Sequence, residues 1–470
     1  MLPIEFKERM RKLLGDEAEA LLRELEEGEN QRAFRVNGLK ISTKDFQAVN
    51  KLDAEPIPHV PDGFYTGEEK PGNTAAHHSG MIYMQDPGAM ATVCALNVKR
   101  GDRVLDCCAA PGGKSSQLAA LVGEEGIVVS NEYVSKRAAI LQGNLERMGC
   151  RSSVVLNLDA KELPRTYREY FDVVVCDAPC SGEGMFRKNP LAISEWSVEN
   201  VKMCAERQKE IIDEVQKCVA VGGVLLYSTC TFSLEENEML VEDFLREHRE
   251  FELIDVADSI KAVTADGICF DGAEQDMSKT RRFYPHVSRG EGQFIALMKK
   301  TASTLSQSSD DSPSRRDRRD GKQISKGSNA QSEREMLRVA SEFLSTHLNV
   351  LPQKELTVRA GTVRLSTDCP TPEHGVLMNG VCVGEVVKSR LVPHHQLFSA
   401  YGADFKNKVC LAGDDPRVAE YIKGMEISTP DTPDGYAALI VDGCALGGVK
   451  VSGGRAKNHY PKGLRGEIQQ

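Results

Sequence analysis

Two cysteines carry the first chemical signal: Cys180 in DAPCSGEG (177–184) and Cys230 in LYSTCTFS (226–233). A thiol does chemistry as its thiolate and needs a neighbouring acid or base to switch it. Asp177 opens the first stretch and offers a carboxyl for that work. Beyond Cys230, Ser233 and Glu236 have the spacing of a capping box, so a helix is expected to start there. The partial positive charge of that helix start would favour a thiolate at Cys230. A cysteine that only filled the core would sit within VLLY, not beyond it.

A third stretch, DCCAAPGGKSS (106–116), points to a cofactor. Gly112 and Gly113 permit a tight strand-to-helix turn, and the free N–H groups of the helix start suit an anion. Two cofactors compete for this turn. Gly113, Lys114 and Ser115 match the end of a phosphate-binding loop, but Cys108 stands where its first glycine belongs. With FDVVVCD as a second nucleotide strand, a nucleoside triphosphatase is a rival; a purely structural turn is another. Glu132 ends VVSNEY about twenty positions further on, where a carboxylate can hold a ribose diol. Asp159, ending LNLDA, is placed to face an adenine amino group. Each acid alone is equally well explained as a helix cap; together they favour an adenosine-containing cofactor. Arg187 and Lys188 in FRKNP could meet phosphates, although solvated loop charge is the more common explanation.

Such side chains need a scaffold. Strand-like DRVLDCCA, GIVVSNEY, SSVVLNLDA, FDVVVCDAP and GGVLLYSTC alternate with helical patterns over 114–122, SKRAAILQGNLERMG, 198–219 and LEENEMLVEDFLREH. Buried strands separated by helices predict an α/β, doubly wound, mostly parallel sheet, with ligands at the carboxyl ends of its strands. TRRFYPHV and GQFIALMKK read as an antiparallel hairpin closing one edge. Helical spacing over 5–28 and the strand AFRVNGLKIS suggest a small mixed domain over 1–78, before a catalytic domain over 79–300. Residues 301–334 are rich in Ser, Asp and Arg and read as a flexible linker. A helix near 333–347 opens an intermediate segment, 335–400, and a Gly-rich, β-rich module fills 401–470.

The bulk properties set outer limits. A chain of 470 residues implies more than one domain. Its net charge of −10 argues weakly against a nucleic-acid partner. Yet GGVKVSGGRAKNHYPKGLRGE carries five Lys/Arg against one Glu, which is either a local basic face or solvated charge. Fourteen cysteines without a CxxC pair predict neither a disulfide scaffold nor a zinc site, and no metal is expected. The N-terminus MLPIEFKERMRKLL lacks a signal peptide's apolar core and no stretch approaches the length of a membrane span, so a cytoplasmic protein is expected.

Two cysteines at adjacent strand ends, an acid and an adenosine site suit one reaction. C5 of cytosine is a poor nucleophile until a thiolate adds to C6 while N3 is protonated. The resulting enamine can take a sulfonium methyl; a base then removes the C5 proton and the thiolate leaves. Besides the triphosphatase, a non-catalytic RNA-binding protein and a thiol-redox protein are the rivals.

CAAPGGKS, DAPCSG and YSTCT, in that order, resemble the Fmu/Sun family of RNA cytosine-5 methyltransferases. YMQDPGAM (83–90) is similar to the family's segment before the core, and FRVNGLKIS to its N-terminal RNA-binding segment. SGGRAKNHYPKGLR is similar to the PUA-like C-terminus of the subgroup acting on 16S ribosomal RNA. The resemblance implies a Rossmann-like core with a mostly parallel seven-stranded sheet, a small α+β N-terminal domain and a β-rich PUA-like C-terminal domain. It implies S-adenosylmethionine as cofactor, and RNA (ribosomal RNA or the small ribosomal subunit) as partner. Neither DNA nor a membrane is implied, and a monomer is the default. Cys230 would be the nucleophile and Cys180 would assist product release. The cofactor loop would run through Cys108, Ala109, Ala110, Pro111, Gly112, Gly113 and Lys114, with Glu132, Arg137, Asp159 and Asp177 as further contacts. Asp177 and Lys114 would also lie near the target base, which must leave any stack to be reached. Gly88 departs from the family, which often has Ser there.

Overall fold

The computed structural model describes residues 1–49, 51–68, 70–304 and 326–468. At the N-terminus, the helices Ile4–Leu14 and Ala18–Glu27 pair through Phe6, Met10, Leu21, Leu22 and Leu25, which the helical repeat places on one face. That face packs against Phe186, Trp196 and Phe232, residues of the two cysteine-bearing loops and their surroundings. A small sheet follows, made of β1 (Arg32–Val36), β2 (Glu55–Pro56), β3 (Gly63–Thr66) and β4 (Ile82–Met84). Because β4 pairs with β1, this sheet reaches past residue 78.

The central sheet contains β5 (Arg103–Asp106), β6 (Ile127–Asn131), β7 (Ser153–Leu156), β8 (Phe171–Asp177), β9 (Val219–Thr229), β10 (Phe251–Ile254), β11 (Ala265–Asp266), β12 (Arg281–Phe283) and β13 (Gln293–Lys300). Its order is β11-β12-β13-β9-β8-β5-β6-β7. β5 to β9 run parallel, and β13 is antiparallel to β9. Val104, Leu105, Val128, Val129, Val174 and Val175 are fully buried, because helices cover both faces and no alternation with polar residues is needed. The chain winds one way from β5 to β7 and the other way through β8 and β9. The switch point therefore lies between β5 and β8, where an open α/β sheet binds ligands.

Four details differ from the sequence expectations. The sheet has ten strands, not seven: β10 pairs with β13, β11 with β12, and the strand Val376–Asn379 adds antiparallel to β7. Without that last strand, β7 would present unpaired N–H and C=O groups at an open edge. The helix expected over 198–219 ends earlier, as Val198–Val215, and Val219 already begins β9. Of the flexible linker expected over 301–334, residues 305–325 lie outside the described residues, and the last part belongs to a helix, Lys326–His347. Val339, Ala340, Phe343 and Leu344 seat that helix on the C-terminal strands, and its regular turns continue upstream of the expected start. The capping box is the fourth, described below.

Beyond this helix lie a four-stranded sheet within 356–393 and a five-stranded sheet within 408–458. The C-terminal part docks on the rest of the chain. Lys40 donates to Ser79 O (2.6 Å) and Ala445 O (3.0 Å), and Arg151 donates to Ala400 O. Among the described residues no helix is long and apolar enough to cross a membrane.

Candidate active site

The two cysteine loops leave adjacent parallel strands, β8 and β9, whose register pairs Asp177 with Ser228. Adjacent strands of equal direction bring their C-terminal loops together, and Cys180 Sγ and Cys230 Sγ lie 3.3 Å apart as free thiols. The Cys230 N–H also points at Cys180 Sγ (3.3 Å), and Gly184 N–H donates to Cys230 O (2.9 Å). This close approach requires glycine at 184, since a Cβ there would lie 2.7 Å from Gly292 O and 3.0 Å from Cys230 O.

Asp177 ends β8 beside them. Its Oδ2 accepts from Lys114 Nζ (2.7 Å), and its Oδ1 accepts from Ser228 Oγ (2.7 Å) and Gln293 Nε2 (3.4 Å). Burial works against the Lys114 ammonium, but the facing Asp177 carboxylate outweighs it and holds the lysine pKa above its ordinary value. The hydrogen bond with Cys230, then burial, pushes the Cys180 thiol well above its usual range, so Cys180 keeps its proton. Cys230, Cys180, Asp177 and Lys114 thus stand at one sheet edge.

The capping box does not form. The helix after Cys230 is Glu238–Glu247, with Asn237 at its N-cap and no side-chain cap. Ser233 Oγ donates instead to Glu183, and Glu236 accepts from Ser181. Both groups satisfy polar atoms of the opposite loop, which burial would otherwise leave unpaired. Cys230 is therefore not at a helix N-terminus. Arg187 and Lys188 also differ from expectation. The Arg187 side chain is only 4% exposed and pairs with Glu24 and Glu291, while Lys188 pairs with Asp86 and Glu291. Both cations are engaged in ion pairs that brace the loop; Arg187 is shielded from solvent, while Lys188 is partly exposed.

The cofactor candidates gather at the ends of β5, β6 and β7. Gly112 adopts φ 109°, and the helix Gly113–Val122 begins without a side-chain cap, leaving N–H groups available. The loop from Cys108 to Pro111 is fixed from behind: Ala109 N–H donates to Asn131 O, Arg137 to Ala110 O and Asn144 to Pro111 O. Glu132 is buried just past β6, accepts from Val134 N–H (2.8 Å) and has Arg137 at 3.4 Å. Asp159 does cap a short helix, accepting from Lys161 N–H, with Glu162 completing a capping box. Asp106, Ser228 and Gln293 belong to the same edge and went unread in the sequence. Their signal appears only once strand pairing is known. Asp106 Oδ2 accepts from Ser115 Oγ, whereas its buried Oδ1 has no partner among the described residues. Gly88 lies close by: a Cβ there would meet Glu291 O at 3.2 Å and Gln293 Cβ at 3.3 Å, so a side chain at 88 is crowded.

An acceptor pair for a diol, free helix N–H groups and an unsatisfied buried carboxylate oxygen fit the adenosine and amino-acid ends of S-adenosylmethionine. This sheet and site define an S-adenosylmethionine-dependent methyltransferase. More particularly, the chain belongs to the RsmB/F family of 16S rRNA methyltransferases. Residues 93–299 match the model of 16S rRNA methyltransferase RsmB/F, residues 2–87 that of the N-terminal domain of 16S rRNA methyltransferase RsmF, and residues 408–466 that of the methyltransferase RsmF PUA domain. The ribosomal RNA small subunit methyltransferase F of Vibrio campbellii (strain ATCC BAA-1116) is 31% identical over 461 residues, 92% of this chain and 91% of that protein. The protein of the same name from Serratia proteamaculans (strain 568) is 38% identical over 281 residues, 57% of each chain. Among solved structures, a methyltransferase homologue from Pyrococcus horikoshii has a TM-score of 0.55 at 27% identity, covering 63% of this chain and 94% of that one. NSun6 from the same organism, crystallised with SFG, shares the fold at TM-score 0.55 and 24% identity, over 64% of this chain and 99% of that one.

Proposed function

We propose that this chain methylates C5 of a cytosine in 16S ribosomal RNA through a covalent bond between Cys230 and C6. The observation that carries this reading is the pair of thiols 3.3 Å apart, beside the Lys114–Asp177 ion pair. S-adenosylmethionine supplies the methyl group when bound. Cys108 to Lys114, Glu132, Arg137, Asp159 and Asp177 would hold it at the strand ends.

The chain's own residues perform the remaining steps. The Cys230 thiolate forms the S–C6 bond, while the Lys114–Asp177 pair provides the proton that N3 takes up. Once C5 carries its methyl, a base takes the C5 proton, the C5–H electrons re-form the C5=C6 bond, the S–C6 pair leaves on the Cys230 sulfur, and the N3 proton returns to the Lys114–Asp177 pair. Cys180, holding its proton beside Cys230, assists this release. The β-rich C-terminal module offers a face for the phosphate backbone. Lys450, Arg455, Lys457, Lys462 and Arg465 are exposed there. Lys450 and Lys457 stand directly opposite across two strands, a like-charge pairing that an anion relieves.

Cys230→Ala is expected to abolish methyl transfer to a 16S ribosomal RNA transcript. Cys180→Ala is expected to accumulate a protein–RNA adduct, seen as a slow band on a denaturing gel. Adduct accumulation in Cys230→Ala would reverse the two roles.

A further inference from the structure

Behind the two thiols, the loops are tied to each other by a crossed pair of buried carboxylates. Glu183, three residues beyond Cys180, reaches to the Cys230 loop: it accepts from Phe232 N–H (2.9 Å) and Ser233 Oγ (2.8 Å), and from Trp196 Nε1 (2.8 Å). Glu236, six residues beyond Cys230, reaches back to the Cys180 loop: it accepts from Ser181 N–H (2.9 Å) and Ser181 Oγ (2.5 Å), and from Gln208 Nε2 (2.8 Å). Both carboxylates are fully buried. Their contacts divide between the cysteines, with a direct link between the loops, Ser181 Oγ to Thr231 Oγ1 (2.8 Å). On the Cys230 side, Asn237 accepts from Thr229 Oγ1 and donates to Thr231 O, so both neighbours of Cys230 are held without Glu236. On the Cys180 side, Gln208 donates to Pro179 O (3.0 Å) and Glu236 holds Ser181. Cys180 itself has Cys230 as its side-chain partner.

We propose that Glu236 is a positioning residue for the release half-reaction: it holds Cys180 against Cys230, and it is not needed for Cys230 to attack. The proposal rests on the reading that Cys230 forms the adduct and Cys180 resolves it. Burial pushes the Glu236 pKa up to about 7, against the hydrogen bonds from Ser181 and Gln208; above that pH the carboxylate accepts all three and fixes the loop more firmly than a neutral acceptor can. Its replacement by an amide turns one of those acceptor oxygens into a donor: at Oε2 it would face the Ser181 and Gln208 N–H groups, and at Oε1 the Ser181 hydroxyl would have to turn from donor to acceptor. The Cys180 loop then loosens, while the Asn237 and Glu183 contacts keep the Cys230 loop in place.

The test is Glu236→Gln in the full-length chain, with a 16S ribosomal RNA transcript and radiolabelled S-adenosylmethionine. Steady-state kcat is expected to fall at least about tenfold, with the adduct fraction rising about fivefold or more and the single-turnover rate of adduct formation staying within about threefold of the parent. A merely structural role would lower adduct formation and release together, and that outcome overturns the proposal, as does unchanged turnover. If Glu236→Gln does not fold, as judged by circular dichroism, Ser181→Ala decides. It removes the Ser181 Oγ contacts to Glu236 and to Thr231 and is expected to raise the adduct fraction in the same direction, with adduct formation within about threefold of the parent, whereas no rise overturns the proposal. The Cys180→Ala and Cys230→Ala controls separate the two levels. If Cys180→Ala accumulates no adduct, the underlying cysteine assignment fails; if it does and Glu236→Gln does not, only the positioning role fails.

Discussion

At the scale of single residues, the site depends on groups whose protonation the fold has moved. Asp106 ends β5 with one carboxylate oxygen unpartnered, and burial pushes its pKa up to about 7, against the opposing hydrogen bond from Ser115 and the field of Lys114. A carboxyl whose pKa is raised on folding binds more protons in the native state than in the unfolded one. Its contribution to stability is therefore full below the unfolded value of about 4 and is lost as pH rises through about 7. Asp106→Asn is expected to flatten that decline, by an amount on the order of a few kcal/mol between the ends of the window. Denaturant midpoints measured across the window for parent and variant check this, and equal slopes would reject it. The unsatisfied oxygen is buried at the C-terminal end of β5.

At the scale of elements, the reactive geometry is a property of two loops leaving neighbouring parallel strands. Their contact runs through backbone as much as side chain, with Gly184 N–H on Cys230 O and Gly292 N–H on Gly184 O. Gly184→Ala would force the loops apart by placing a Cβ against Gly292 O and Cys230 O. Methyl transfer should drop by at least about tenfold, with a stability loss of only about 1–3 kcal/mol. Activity assays alongside thermal unfolding test this, and full activity would show that the loop contact does not set the thiol separation. The same element scale explains the failed capping box. Ser233 and Glu236 have the right spacing locally, but partners on the other loop were closer to hand and more deeply buried.

At the scale of the whole molecule, the C-terminal part does more than offer a basic face. Val376–Asn379 completes the catalytic sheet at β7, with Asn157 N–H on Gly375 O (2.7 Å) and Gly380 N–H on Ser153 O (2.9 Å) extending the pairing. Tyr167 Oη, donating to Pro370 O (2.8 Å), adds a further tie. Ending the chain after Lys300 would expose the β7 edge, a template for pairing with another copy. The shortened chain should scatter light and elute as aggregates at concentrations where the full chain does not. Equal dispersion of the two would show that the edge is protected in some other way.

How much of this was legible without coordinates depends on how local each signal is. The strand runs DRVLDCCA, FDVVVCDAP and GGVLLYSTC, the Gly112–Gly113 turn and the two cysteines could be read directly, because a buried strand, a tight turn and a nucleophile each depend on a few adjacent residues. The triphosphatase alternative at Cys108 also stayed open there, since a turn of that kind serves more than one anion. What the sequence hid are partnerships formed across long stretches of chain. Glu236 meets Ser181 across 55 positions, Arg187 meets Glu291 across 104, and the strand at 376–379 finds β7 more than two hundred positions away. Amino-acid order determined which residues could do the chemistry and which strands would be buried. Tertiary structure alone decided the 3.3 Å between the thiols and which carboxylate holds which loop, because burial makes each polar atom take the partner that folding brings to it.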